Sequence, residues 1–374
     1  MSSEPQPSSH ASAFPSDVHR HIDPIGFYKK FLRQNVRPDG RKLRAFRTVT
    51  VSDLEVRSLP STLQDGDGTV ISSVRVILGD THVHCVVKAL PVFCEVSVPP
   101  TLGSAALVAV DIELPKQVQS YIYDAYGHSA NFNFCISNLL SNVLNSDDVL
   151  PKSQLRFQEI LKTSTSDAPD TVCRYLSQRN LTWKLDIAIL CEEYDGNLLD
   201  PSVMATSYAL RKAVLPVVLL EHSAASGSYS LRLLDNTTLE NAKRQDAQTL
   251  KLLHANRQSI ERQLGIKLNV ENMASQLLTS MGTAGYIGRH LTYSSLPFTV
   301  TFLRFSEDMF LVDPTSEEER LGTTVSVYCL HGSDGSFRTQ PLNLTCCPNF
   351  TSDIYECLKQ VAIDVIGCIT NSDI

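Results

Sequence analysis

Eight cations crowd one stretch of this chain. Between Phe27 and Arg47 stand Lys29, Lys30, Arg33, Arg37, Arg41, Lys42, Arg44 and Arg47, opposed only by Asp39, a local net charge of +7. Guanidinium groups grip phosphate and carboxylate two-pronged, so such a density suits an RNA backbone, a bound phosphate or an acidic partner subunit. The other chemistry-bearing stretch runs from Asp186 to Ser202, DIAILCEEYDGNLLDPS, where a hydrophobic run ends in a tight acidic turn. Glu192, Glu193, Asp195 and Asp200 fall there. They suit a metal or an acid–base pair; the plainer reading is a solvated turn whose backbone Asp195 fixes. No histidine or basic partner stands nearby in sequence to favour the first.

The other candidates are weaker. His82 and His84 share one face of a strand but lack a third zinc ligand. Gly282, Gly285 and Gly288 follow a helical pattern and lack the Lys-Ser/Thr of a phosphate loop. No Gly-x-Ser-x-Gly elbow occurs, which removes α/β-hydrolase chemistry. The 10 cysteines show neither zinc spacing nor a disulfide framework, and most sit in apolar patterns as small core residues do. No metal, cofactor or catalytic residue is assigned.

The elements that must position these residues read as mixed α/β. Asp23-Pro24 marks a helix start, with Ile25, Tyr28, Phe31 and Leu32 on one face. Arg37-Pro38-Asp39-Gly40-Arg41 is a turn. Strands are expected at Thr48–Val51, Thr69–Leu78, His82–Leu90, Ala105–Leu114 and Leu181–Cys191, with Gly79-Asp80 closing a hairpin. A helix over Ala205–Val214 follows the acidic turn. Residues 221–288 read as an insertion, opened by a Ser/Gly-rich linker, with a capping box at Thr237-x-x-Glu240. Its stripe of Leu250, Leu253, Arg257, Ile260 and Leu264 packs on its own domain rather than on a partner helix. Strands Phe298–Phe305 and Thr323–Leu330 and a terminal amphipathic helix Asp353–Ile369 complete the pattern.

The whole chain has 374 residues and a net charge of -7, so the basic stretch stands against an acidic background. No apolar run is long enough to span a bilayer. The start, MSSEPQPSSHASAFPSD, lacks the plan of a secretory signal, and residues 1–20 read as a disordered tail. The sequons at Asn180, Asn236, Asn343 and Asn349 then carry no meaning, and the expected compartment is cytosol or nucleus.

In order along the chain, FYKKFLRQN, RPDGRKLRAFRTVTV, LGDTHVHCVVKA, LDIAILCEEYDGNLLD and MFLVDPTSEEERLGTTVSV resemble the RNase PH-like ring subunits of the eukaryotic RNA exosome. The likeness covers most of the chain outside the tail and the insertion. It implies an RNase PH-type fold and a place in a ring of six such subunits. The implied partners are the other ring subunits, a heterodimer mate of the 46 type above all, with exosome cap proteins and RNA, and no membrane. It implies 3′-5′ processing and decay of ribosomal and other RNAs in nucleus, nucleolus and cytoplasm.

Active relatives cleave RNA by phosphorolysis, with arginines on the phosphate and an aspartate near the scissile bond. From Val76 to Leu155, where they place those arginines, this chain has none. Their Asp-Gly-Gly turn with a following hydroxyl residue is here Asp195-Gly196-Asn197-Leu198, and Leu198 donates no hydrogen bond. Asp195, Gly196, Leu198 and Asp200 thus mark a degenerate active-site position, and the expectation is a non-catalytic subunit. The basic residues from Lys29 to Arg47 are its candidates for RNA or subunit contact. A phosphate-dependent 3′-exoribonuclease, or a non-catalytic subunit of the 42 or 45 type, are the alternatives.

Overall fold

The computed structural model describes residues 16–55, 59–60, 63, 67–95, 107–126, 132–156, 179–222, 229–270, 272–279, 286–307, 309–332, 334–342 and 352–371. Residues 1–15 of the expected tail, Gly282 and Gly285, and the Cys346-Cys347 pair lie outside these.

Two sheets carry the fold. The first has the order β1-β2-β3-β5-β4, formed by β1 (Val49–Asp53), β2 (Thr69–Leu78), β3 (Thr81–Glu95), β4 (Val108–Glu113) and β5 (Arg179–Glu193). Only β4 runs parallel to its neighbour, β5. The β2–β3 hairpin closes on Gly79-Asp80 as expected, with Leu78 opposite Thr81 and Gly79 at φ +56°. Apolar alternation sends Val74, Val76, Val83, Cys85, Ile187 and Ile189 to one core face.

Three short strands lie between the sheets in sequence: β6 (Val214–Pro216), β7 (Val218–His222) and β8 (Tyr229–Leu233), with β9 (Gly288–His290) pairing back to β6. The second sheet is antiparallel, β11-β10-β12-β13, from β10 (Ser295–Ser306), β11 (Met309–Val312), β12 (Thr323–Gly332) and β13 (Phe337–Leu342).

The helix Leu199–Lys212 lies between the two sheets, with every residue from Leu199 to Leu210 buried. Small side chains such as Ala205 and Ala209 let strands approach it from both sides. It begins six residues before the expected Ala205. Asp200-Pro201 reads as a turn in sequence, yet proline costs nothing in a first turn, where its missing N–H has no partner to lose. The terminal helix Ser352–Asn371 covers the second sheet with Leu358, Ala362 and Ile366.

The described residues between 217 and 287 enclose a second core, in which Val217, Leu219, Leu239, Leu253, Ile260 and Leu277 meet. Within the helix Ala247–Leu264, Leu253 and Ile260 point into it, and Leu250 and Leu264 flank them, so that stripe packs on its own chain. Arg257 leaves the stripe to pair with Glu261 and donate to the Leu268 carbonyl at 2.6 Å. The shorter helix Asn236–Lys243 is capped by Asp235, whose carboxylate accepts from Thr238 N at 2.9 Å, not by the expected Thr237-x-x-Glu240 box. Asp235 stands where the backbone is still extended, as a cap must.

Two smaller expectations also change. Ile25 on the opening helix Pro24–Leu32 faces solvent, while Tyr28 and Leu32 are buried. Cys85, Cys191 and Cys329 are core residues, but Cys135, Cys357 and Cys368 are exposed on helices. Among the described residues no helix is long and apolar enough to cross a membrane.

Candidate functional site

The basic stretch folds around a tight turn that divides its cations between the interior and the surface. Gly40 takes φ +86°, and Arg37 N donates to Arg41 O at 2.8 Å to close the loop. The turn drives Arg37 inward, where it has no solvent exposure at all. Arg37 Nε donates to Glu318 Oε1 at 3.0 Å, and Nη2 bonds the other oxygen of that carboxylate. Nη1 donates to Val312 O at 2.6 Å, and Nη2 also to Asp313 O at 3.0 Å. Glu318 sits in a one-turn helix, Ser316–Glu319, capped by Thr315, and is itself buried.

Arg41 and Arg47 converge on a second buried carboxylate, Asp313, held at φ +53°. Its Oδ2 accepts from Arg41 Nη1 at 3.0 Å, Arg47 N at 2.9 Å and Arg47 Nε at 2.8 Å. Its Oδ1 accepts from Arg47 Nη2 at 2.8 Å and Asn197 Nδ2 at 2.7 Å. Burial works to raise this carboxyl's pKa. The Arg47 bonds and charge, with Asn197 and Arg41, outweigh that and hold it below the usual range.

The acidic turn arrives from the other side. Gly196, at φ +82°, lies so close to Pro314–Ser316 that a Cβ there would stand 2.4 Å from the Thr315 carbonyl carbon. Only glycine fits. Asn197 next to it, at φ +57°, bridges two carboxylates with one amide, donating to Asp200 Oδ2 at 2.8 Å as well as to Asp313. Asn197 N donates to Glu319 Oε1 at 2.7 Å, and Tyr194 OH bonds the other oxygen of Glu319.

Asp200 is therefore not part of a solvated turn. It is wholly buried in the first turn of the central helix. It accepts from Thr299 Oγ1 at 2.8 Å, Thr301 N at 2.8 Å and Thr301 Oγ1 at 2.9 Å. Among the described residues no cation reaches it, and burial pushes its pKa up to about 7 against these hydrogen bonds.

Asp195, unlike Asp200, meets solvent, its side chain 32% exposed. Its Oδ1 accepts from Ser316 Oγ at 2.8 Å, and Arg47 Nη1 donates to its carbonyl at 2.7 Å, so it ties two other segments down instead of fixing its own turn. Beside it opens a cavity of about 330 Å³ lined by Asp39, Asp195, Ser316, Glu317, Glu318 and Arg20. Arg20 is paired to Glu317 and Asp39 to Arg41. The cavity wall is thus mainly acidic, and Arg37, Arg41 and Arg47 turn into the knot. Among the described residues an anion there meets no arginine without a carboxylate partner.

The sequence-marked residues divide accordingly. Arg37, Arg41 and Arg47 are internal, joining three chain segments that lie far apart in sequence. Lys29, Lys30, Arg33, Lys42 and Arg44 are exposed. Gly196 and Asp195 meet Arg47 in space, whereas Leu198 is packed in the main core. Asn197, Asp313 and Glu318 are the members that sequence reading passed over as site residues. Their signal was the acidic run Glu317–Glu319 and Asp313, opposite in sign to the basic stretch.

Histidine partners for the acidic turn also exist across the sheet. His84 Nε2 lies 2.9 Å from Glu192 and His82 Nδ1 3.3 Å from Glu193. Strand pairing supplies what sequence proximity did not, since His82 sits opposite Glu193 in the β3–β5 register. Burial lowers the His84 pKa, although Glu192 pulls the other way. Among the described residues no cluster of three or more His, Cys, Asp or Glu side chains is placed to hold a metal ion.

No protein-family model matches the sequence. The fold, however, aligns with a chain of the Archaeoglobus fulgidus exosome with RNA bound to the active site. That alignment has 17% identity over 95% of this chain and 97% of that one, with a TM-score of 0.53. A chain of an archaeal exosome core aligns at 18% identity over 94% and 96%, with a TM-score of 0.48. Near-complete coverage of both partners in the first alignment means the likeness is one of whole-chain topology, and the chain has an RNase PH-type fold.

Proposed function

We propose that this chain is a non-catalytic ring subunit of an RNA exosome, at the position of ribosomal-RNA-processing protein 43 and paired with a 46-type subunit. In this reading it braces an RNA path used for 3′-5′ processing and decay of ribosomal and other RNAs, in nucleus, nucleolus and cytoplasm. The other ring subunits, the cap proteins and RNA are its partners. The tail expected over residues 1–20 ends before Ser16, where a helix, Ser16–Ile22, begins and is tied to the ring domain through Arg20 and Glu317, and residues 221–288 are an insertion into the ring domain. The whole-chain fold likeness supports membership, together with the five ordered motifs, three of which meet in the buried knot.

One observation carries the non-catalytic part. The arginines beside Asp195 are bound to Glu318, Asp313 and backbone carbonyls, and the cavity at Asp195 is walled by carboxylates. Phosphorolysis must bring inorganic phosphate up to an RNA phosphodiester, an accumulation of negative charge that requires free, preorganised cations. An acidic wall opposes it.

The test is phosphate-dependent release of nucleoside diphosphates from single-stranded RNA by the pure chain. No release above background is expected. Release that disappears in Asp195→Asn would overturn the reading and make the chain an exoribonuclease. Co-purification of the tagged chain with other RNase PH-like chains tests ring membership separately.

A further inference from the structure

The sheet edges in this molecule are not treated alike. The outer edge of β4 is covered by the helix Phe132–Leu144 and the residue after it. Asn145 accepts from Val108 N at 3.2 Å and donates to Val108 O at 2.7 Å, and Ser141 Oγ accepts from Val110 N at 3.0 Å. The edge of β7 is covered by two side-chain amides of the helix Ala247–Leu264. Asn256 bonds Leu220 N and O at 2.8 and 2.9 Å, and Gln263 bonds Val218 N and O, both at 2.9 Å. The edge of β11 is covered by the basic turn, Val312 N donating to Leu43 O at 3.0 Å. Open edges invite pairing with another chain, and these three are closed by dedicated polar groups.

Among the described residues the outer edge of β1 receives no such cover. Its direction follows from the ladder. Gly79 N donates to Thr48 O and Leu54 N to Ser73 O, so the even-numbered residues bond inward to β2. The N–H and C=O groups of Val49, Val51 and Asp53 therefore point outward, and no other strand pairs with them among the described residues.

A groove of about 590 Å³ begins at this edge, because Val49 belongs to both. Phe46 completes one wall, and Val361, Val365 and Ile369 of the terminal helix form the other. Arg44 stands on the rim, exposed, with no carboxylate paired to it among the described residues. The rim's own acid, Asp364, is engaged by Gln360 at 3.0 Å.

We propose that β1 and this groove take an extended strand from a neighbouring, different polypeptide of the assembly. The strand bonds Val49, Val51 and Asp53, places an apolar side chain between Phe46 and the terminal helix, and presents a carboxylate to Arg44. This rests on the ring reading above. The outward amides and carbonyls alternate at peptide spacing and the groove wall is apolar, which matches strand addition. The polar side chains of the groove, Arg44, Arg47, Thr48 and Asp364, flank this apolar wall, which fits one apolar side chain of a strand with a carboxylate beside it.

The test uses the tagged full-length chain purified from its own cells, with Val51→Pro and Arg44→Glu variants. Proline at 51 removes an outward N–H and leaves the β2 ladder intact, and because Val51 also packs against the main core its thermal melt is matched to a Val51→Ala control, which loses the same packing but keeps the N–H. Val51→Pro and Arg44→Glu are each expected to lose one RNase PH-like neighbour by about tenfold or more, which 1.4 kcal/mol of binding produces, while the wild type retains it. Hydrogen exchange of the 48–53 segment is expected to slow in the assembly relative to the free chain. Recovery of the same neighbours at wild-type levels by both variants, with unprotected β1 amides, overturns this inference and leaves ring membership standing. Absence of RNase PH-like chains from the wild-type purification overturns both. Protection of β1 by a second copy of this chain, or by RNA alone, also overturns the strand-addition assignment.

Discussion

Asp313 and Asp200 are both fully buried, and the same amide, Nδ2 of Asn197, bonds both. They nevertheless titrate in opposite directions. Asp313 faces two guanidinium groups, which hold its pKa below the carboxylate range, whereas Asp200 faces only hydroxyls and amides and rises to about 7. Burial is common to both, so the cations make the difference. The comparison shows what the basic stretch is for. Three of its arginines stabilise carboxylates that would otherwise be intolerable in this interior, and are not left over for a substrate.

The sharpest way to break the comparison is to take the charge from the arginine side. Asp313→Asn keeps the shape, and asparagine tolerates φ +53° better than most residues. It leaves Arg41 and Arg47 without their shared carboxylate in a buried site, so unfolding stability in urea is expected to fall by about 3–5 kcal/mol. A loss below about 1 kcal/mol would mean that solvent reaches the knot, and the cavity at Asp195 would then be open to anions.

The pH profile sharpens it further. Asp313 has a folded pKa below its unfolded one, so its contribution is present above the ordinary value of 3.8 and lost as pH falls through the lower folded pKa. Asp200 has a raised folded pKa, so its contribution is complete below 3.8 and lost as pH rises toward and through about 7. Over pH 4 to 7 the native state holds a proton that the unfolded chain has released, and stability should decline with a slope of up to about 1.4 kcal/mol per pH unit from this group. Melts across that range in wild type and Asp200→Asn check it. The slope difference between the two proteins should vanish if Asp200 is in fact ionised throughout.

Asp200→Asn at fixed pH is expected to cost less. The asparagine oxygen can keep the bonds from Asn197 and Thr301 N, while its NH₂ faces two threonine hydroxyls that can turn to accept. A change of about 1 kcal/mol or less is expected at pH 5, turning to a gain relative to wild type above pH 7. A loss as large as that of Asp313→Asn would show that the charge itself is structural on the threonine side too.

Much of this arrangement was visible in the sequence, up to the point where burial decides. Alternation located β2, β3 and β5, Gly79-Asp80 located the β2–β3 hairpin, and five motifs were marked in order along the chain. The meeting of three of them in one knot could not be read, because Arg37, Asp195 and Glu318 are separated by more than a hundred residues each and no local pattern says which cation is buried. The same limit explains Asp200, read as solvated because its flanking turn is polar. It also explains the histidines, whose carboxylates come from the neighbouring strand. Where a local rule had two solutions, as at Asp200-Pro201 or the Asp235 cap, the structure took the one that tertiary packing favoured.

The five exposed cations supply the smallest effect on stability and the clearest one on binding. Lys29, Lys30 and Arg33 lie on the outer side of the opening helix and meet no buried carboxylate, so Lys29→Gln, Lys30→Gln and Arg33→Gln together should leave unfolding stability within about 0.5 kcal/mol. If they face the backbone of single-stranded RNA, each releases counterions on binding, and the slope of log affinity against log salt should lose about 2 on removal of three contacts, at roughly 0.7 each. Fluorescence anisotropy of a labelled oligouridine over a salt series measures this on the full chain. An unchanged slope would assign these residues to protein contacts instead, and the distinction between the two halves of the basic stretch would become one between internal and intersubunit pairing.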